Sequence, residues 1–201
     1  MRATRIVLAS ASPRRYELLR SLGLEVEVAA TDYHEPPIAN LIPSELALAH
    51  AAEKLRRAVL RSPPAEGVPI LAADTVVDLA GVALGKPRDP AEAVSMLERL
   101  SGREHAVHTA FGVAAAGKPE PVLECATTRV RFYPLEPAEI AEYVATGEPF
   151  DKAGAYGIQG RAAALIEGIE GDFYTVMGLP LARFIRALRR LGFALPDTND
   201  R

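Results

Sequence analysis

VPILAADTVVDLAGVAL, residues 68–84, decides how the rest of the chain is arranged. Residues 68–73 read as a buried apolar strand that ends in the polar pair Asp74-Thr75. Beyond it, Val76-Val77-Asp78-Leu79 and Val82-Ala83-Leu84 flank Ala80-Gly81, the pattern of a hairpin. Continuous apolar strands belong to sheets covered by helices, whereas a tight hairpin forces antiparallel neighbours. Together they predict a mixed sheet.

The flanking sequence supplies the helices. Upstream, residues 5–10 form a short apolar strand; Ser12 is placed as an N-cap and Pro13 as the first helical residue, where its missing N–H is not needed. Leu18, Leu19 and Leu22 give that helix an inner stripe, and Gly23 ends it. Residues 26–31 read as a second strand, followed by the acidic loop TDYHEPP, residues 31–37. Ser44 is expected to cap a longer helix with Leu48, Ala52, Leu55 and Val59 inward, stopped by Ser62-Pro63-Pro64. Downstream, Asp89 caps a helix starting at Pro90, with Glu92 three residues on, Ala93, Leu97 and Leu100 inward, and Gly102 at its exit. Residues 105–116 and 121–133 are two long β-type runs. A helix over 137–146, a glycine-dense loop over 150–160, a strand over 163–167 and a last helix opened by Pro180 complete the chain, with residues 197–201 expected to fray. The expected architecture is α/β: a mixed central sheet flanked by helices, within a single domain spanning 1–201.

Bulk properties exclude several classes. The chain has 201 residues, 49% hydrophobic and 24% charged, and a net charge of −3, which points away from a general nucleic-acid or membrane surface. Cys125 is the only cysteine, so an internal disulfide and a multi-cysteine zinc site are excluded; it reads as a core residue. The apolar run Ile6-Val7-Leu8-Ala9 is too short for a signal peptide, and no run approaches the ~20 residues of a membrane span, so the expected location is the cytoplasm.

Several polar residues sit where chemistry is done. In LASASPRRYELL, residues 8–19, Arg14 and Arg15 face the positive end of a helix dipole, a costly placement unless an anion sits nearby. Helix-start N–H groups, the hydroxyls of Ser10 and Ser12 and the arginine forks suit phosphate; a capped surface helix with solvated arginines is the alternative. Asp74, expected at a strand end, suits holding a divalent cation or taking a proton from water, or else capping the turn. Lys86 stands beside the extended turn forced by Pro87, Glu35 sits among the acids of its loop, and Lys54 flanks the inner face of its helix as a snorkelling side chain. In DKAGAYGIQG, residues 151–160, Gly154, Gly157 and Gly160 make order expensive, which suits close backbone approach to a ligand. That loop offers Asp151, Lys152 and the Gln159 amide, which can donate to and accept from a nucleobase; a mobile surface loop is the alternative, against which Tyr156 and Ile158 argue. His105 and His108 read as structural strand residues, and no P-loop, dinucleotide fingerprint, nucleophile elbow or H-E-x-x-H is present.

Taken in order, LASASPRRYELL, AADTVV, LGKPRDPAEAVSML, LSGREHAVHTAF, DKAGAYGIQG and GDFYTVMGLP resemble the Maf family of nucleotide pyrophosphatases over residues 8–180. The resemblance implies two lobes with a cleft, as in the inosine triphosphate pyrophosphatases, and hydrolysis of a nucleoside triphosphate to the monophosphate and pyrophosphate. It also implies a divalent cation such as Mg²⁺ or Mn²⁺, a homodimer, and for some members a link with inhibition of septum formation, so a regulator without catalysis is the competing class. By motif, Asp74 matches the family's proton acceptor, and Arg14, Thr75 and Gln159 match positions that read as they do in the branch acting on dTTP and UTP. Ser10, Arg15, Glu35, Lys54, Lys86, Asp151 and Lys152 match further polar positions of the site, Glu35 and Asp74 as metal ligands and Lys54 and Lys86 as catalytic cations.

Overall fold

The computed structural model describes residues 2–196; the frayed end expected over 197–201 lies outside them. Seven strands form one mixed sheet: β1 (Arg5–Leu8), β2 (Glu25–Val28), β3 (Ile70–Leu79), β4 (Val82–Leu84), β5 (Glu104–Ala114), β6 (Val122–Phe132) and β7 (Ile166–Glu170). Their order is β2-β1-β3-β5-β6-β7, with β4 on β3. β1 runs parallel to β2 and β3, while β4, β5, β6 and β7 pair antiparallel. The hairpin therefore has the consequence read from the sequence.

One edge of β3 is only partly covered. β5 pairs it from Ile70 to Asp78 on one side. On the other, β1 reaches only Ile70 and Leu71, and β4 begins at Val77. Residues 72–76 of that edge have no strand beside them, and Asp74 and Thr75 lie in this opening. The sequence expectation of a strand ending at Asp74-Thr75 is corrected here: β3 runs through both, and what ends is the neighbouring strand.

Helices cover both faces. α1 (Pro13–Ser21), with Ser12 as its N-cap, and α6 (Leu181–Arg190) join Leu71, Ala73 and Phe111 in one apolar cluster on one face. α3 (Pro90–Leu100), capped by Asp89, and α4 (Pro137–Ala145) join Val77, Val107, Val130 and Tyr156 in a second cluster on that face. The cleft opens between the two. α2 (Pro43–Arg61) covers the opposite face, where Leu55 and Ala58 pack with Ile70 and Ala72, and Ala47 and Ala51 with Val76.

Local corrections have local causes. The cap of α2 is Ile42, whose N–H is taken by the Glu45 carboxylate at 3.2 Å; Ser44 lies inside the helix. Its buried stripe is Ala47, His50, Ala51, Lys54, Leu55 and Ala58; of the predicted positions Leu55 is buried, while Leu48, Ala52 and Val59 are half-buried because the helix turns Lys54 inward instead. Residues expected as a strand from 163 form a 3₁₀ turn, Gly160–Leu165, and the strand starts at Ile166. The five-residue α5 (Phe173–Met177) had no periodic signal. Cys125 is half-buried at the sheet, not in the core, and burial pushes its thiol up, away from the thiolate a nucleophile needs. Among the described residues, no helix is long and apolar enough to cross a membrane.

Phe184 is fully buried and meets Phe111 edge-on with ring centroids 6.2 Å apart. Phe184→Ala is expected to cost about 3–5 kcal/mol by urea unfolding. A loss under about 1 kcal/mol would mean that α6 repacks over the sheet without it.

Candidate active site

The opening in β3 becomes a cleft of about 320 Å³, lined by α1, the acidic loop, α2, β3, the turn after β4 and the glycine-dense loop. Alternation along β3 sends Asp74 toward α2 and Thr75 toward α1, and the missing neighbour strand lets both reach the same space. Five cations, Arg14, Arg15, Lys54, Lys86 and Lys152, line it against three acids, Glu35, Asp74 and Asp151. A chain of net charge −3 thus presents a positive cleft.

Asp74 is 4% exposed and Lys54 8% exposed. Lys54 Nζ donates to Asp74 Oδ1 at 2.6 Å and also to Glu35 Oε1. Burial pushes the Asp74 carboxyl up and the Glu35 charge adds to this, while Lys54 and Arg15 pull the other way. Glu35 goes down: burial works against it, but the ammonium groups of Lys54 and Lys86 outweigh that. One carboxylate is thus held charged beside another whose proton affinity is raised, a division suited to general-base chemistry. Glu35 sits at φ +45°, a left-handed geometry that costs a non-glycine residue roughly 1–2 kcal/mol.

The arginines divide the work. Arg15 is buried and gives Nε to the Gly178 carbonyl at 2.8 Å, Nη1 to Ser10 Oγ at 3.0 Å and Nη2 to Thr75 Oγ1 at 3.0 Å. Three of its five N–H groups are engaged, and two remain for an anion. Thr109 Oγ1 donates to the Thr175 carbonyl at 2.7 Å, so in its 2.9 Å contact with Thr75 it must accept. The Thr75 proton is therefore directed into the protein, and toward the cleft its hydroxyl is an acceptor. Arg14 Nη1 reaches across to Asp151 Oδ2 at 3.0 Å, and Asp151 Oδ1 accepts from Lys152 at 2.5 Å. That carboxylate holds the place of an anion between two cations.

The glycine-dense loop is ordered by contacts. Its chain winds through the 3₁₀ turns Glu148–Asp151 and Ala153–Ala155. The Gly154 N–H donates to the Gly85 carbonyl at 3.0 Å, tying the loop to the turn that carries Lys86. The Glu148 carboxylate accepts from Arg161 N at 3.2 Å and closes the loop's base. Tyr156 is buried, its hydroxyl 2.6 Å from His105 Nε2, and Gln159 is exposed at the cleft wall.

All residues singled out from the sequence, Ser10, Arg14, Arg15, Glu35, Lys54, Asp74, Thr75, Lys86, Asp151, Lys152 and Gln159, line this one cleft. Of the two readings of Lys54, the snorkelling side chain is corrected: it is a buried ion-pair partner of Asp74 inside the cleft. His108 is structural as expected, bonded to Thr127 and Asp78. Two participants were missed: Tyr33, which bonds His50 at 2.9 Å under the Arg57 guanidinium, and Gly178, whose φ of +110° aims a carbonyl at Arg15. For Gly178 the signal was present, within the GDFYTVMGLP motif. Among the described residues no three His, Cys, Asp or Glu side chains gather as metal ligands. The hard oxygens at hand are those of Glu35 and Asp74, a pair that fits Mg²⁺ or Mn²⁺, ions which take one or two carboxylates and complete their shell with phosphates and water.

Residues 5–191 match the family described as "Maf-like protein". A protein of Symbiobacterium thermophilum named dTTP/UTP pyrophosphatase is 49% identical, over 94% of this chain and 95% of its own length. Proteins of the same name from Geobacter sulfurreducens and Thermus thermophilus are 47% and 48% identical, over 96% and 94% of this chain and 99% and 95% of theirs. Among solved structures, a nucleoside-triphosphatase described as a dITP/XTP pyrophosphatase from Mycobacterium abscessus aligns over 93% of this chain and 98% of its own, with 17% identity and a TM-score of 0.45.

Burial holds His105 neutral down to about pH 4, against 6.5 for an ordinary imidazole. Between those values the unfolded chain binds a proton that the folded one refuses. Stability should therefore decline as pH falls from about 6.5 to about 4, by about 3 kcal/mol in all. An NMR titration of the His105 ring checks this; a midpoint near 6.5 would contradict it.

Proposed function

The chain belongs to the Maf family, and from that membership and the cleft just described we propose that it hydrolyses dTTP and UTP to the monophosphate and pyrophosphate. The observation that carries this reading is Asp74, a buried carboxylate of raised proton affinity facing a cleft in which cations outnumber acids. In the reaction, water attacks the α-phosphorus, the bond from it to the α–β bridging oxygen breaks, and pyrophosphate departs.

Asp74 accepts the proton of the attacking water. Lys54 holds Asp74 against Glu35 and keeps its carboxylate oriented. Arg14 and Lys152, released from Asp151, and the two remaining N–H groups of Arg15 take the phosphates, with Lys86 opposing the charge that develops on them. Glu35 and Asp74 are the residues that would hold Mg²⁺ or Mn²⁺, which when bound neutralises phosphate charge and lowers the pKa of a coordinated water. Gln159 reads the base: uracil and thymine present an N–H between two carbonyls, which one side-chain amide can match with a donor and an acceptor. We place the enzyme in the cytoplasm, where such nucleotides are made and used, as a homodimer. A regulator of septum formation without catalysis is the less favoured reading.

Incubation with UTP and Mg²⁺ or Mn²⁺ should release pyrophosphate and UMP, and EDTA should abolish this until the metal is restored. Release of orthophosphate with UDP would place the attack at the wrong phosphorus. Asp74→Asn should keep the fold and nucleotide affinity while kcat falls by roughly 10²-fold or more, the scale of a lost general base. Turnover within a few-fold of the parent would mean that another group activates the water.

Gln159→Glu replaces the amide donor with an acceptor and sets an oxygen against a base carbonyl. It should lower kcat/KM for UTP and dTTP by about ten- to a hundredfold, the cost of a hydrogen bond lost to the base and of a carboxylate oxygen set against its carbonyl. An equal loss across UTP, CTP and GTP would show that the side chain does not read the base.

A further inference from the structure

We infer that Tyr156 and His105 form a positioning pair that sets the Gln159 loop, so that base selection depends on a hydrogen bond the substrate never touches. The inference rests on the reading of Gln159 as the base-recognising residue.

Tyr156 lies in a glycine-dense segment where Gly154, Ala155 and Ile158 are buried too, and its ring stands edge-on to both His105 and Phe132 with centroids 5.3 and 4.8 Å apart. Its hydroxyl lies 2.6 Å from His105 Nε2. His105 stands on β5, where it pairs with Val130 of β6, one residue beyond the end of the pairing with β3 at Ala106. Its Nδ1 has no partner among the described residues, and the bond to Tyr156 is the imidazole's one polar contact there. Burial keeps the ring neutral near pH 7, which leaves one nitrogen as donor and the other as acceptor.

The backbone before Tyr156 is bent to deliver it. Gly154 and Ala155 both adopt left-handed φ, +67° and +62°, and Ala155 is completely buried. A Cβ at Gly154 would sit 3.0 Å from the Val77 side chain, so the loop is pressed against β3 at this point. An alanine in that geometry persists only where its surroundings over-determine it, and the buried Tyr156 side chain is such a surrounding. From Tyr156 (φ −150°, ψ 163°) to Gln159 (φ −105°, ψ 171°) is three residues, so the position of the pinned tyrosine sets where the amide meets the cleft. Packing alone would have been met by phenylalanine.

Tyr156→Phe removes only the hydroxyl, and His105→Phe removes its partner while keeping an aromatic ring. Each should raise KM for UTP and dTTP by about three- to tenfold, the size of one neutral hydrogen bond, and reduce the preference for UTP over CTP, with a smaller change in kcat. The double variant should lose no more than the worse single one, because both remove the same bond. Hydrogen exchange over residues 152–160 should accelerate in all three, and this readout does not depend on turnover. Should the parent protein release no pyrophosphate from dTTP or UTP, the functional reading fails while exchange still tests the pin. Unchanged exchange, or faster exchange with UTP-over-CTP preference intact in an active enzyme, overturns the inference. A fall in melting temperature with KM and base preference unaltered well below it would show a structural role alone and also overturns it.

Discussion

A buried backbone group without a partner is costly, so a central strand is not normally left uncovered along part of an edge. β3 is such a strand over residues 72–76, between the end of β1 and the start of β4. Much of the site follows from that opening. It lets adjacent residues with opposite side-chain directions, Asp74 and Thr75, serve one cleft. It admits α1 on one side and Lys54 of α2 on the other. It also lets the glycine-dense loop come down beside Val77. β5 pairs the opposite edge from Ile70 to Asp78, so the strand stays hydrogen-bonded where its other neighbours stop.

Charge is arranged around the same gap. Asp74 and Lys54 are paired where water is scarce, with the more exposed Glu35 on the ammonium's other side; a buried pair of this kind adds little net stability compared with apolar packing and is expensive to break. The left-handed backbone at Glu35 adds to the cost. Such costs concentrated at one place mark where the fold serves chemistry rather than its own stability. At the cleft's mouth the arrangement is looser: the Arg14–Asp151 pair is more exposed, and a polyanion can replace the carboxylate.

The architecture was legible where local chemistry and burial agree. Ser12-Pro13 and Asp89-Pro90 mark helix starts that form as expected, and Ala80-Gly81 makes the hairpin that mixes the sheet. The site residues were legible as motifs, and they converge. Errors arose where a polar residue is buried by a distant partner. Asp74 was read as ending a strand because nothing local reveals that its partner Lys54 lies on another element. Lys54 in turn hid the true inner face of α2, since periodicity counts a lysine as outward. The bond between Tyr156 and His105 spans 51 positions and has no local trace at all. The 3₁₀ turn over Gly160–Leu165 and the five-residue α5 are too short for a helical period to show.

Arg15 joins pieces of chain that are made at very different times. Ser10 lies five positions away, Thr75 sixty and Gly178 a hundred and sixty-three. A ribosome releases the arginine first and the glycine only after a further 163 residues. A nascent chain therefore cannot complete the Arg15 contacts at the cleft until Gly178 has emerged, and a product truncated before it would lack the bond from Nε.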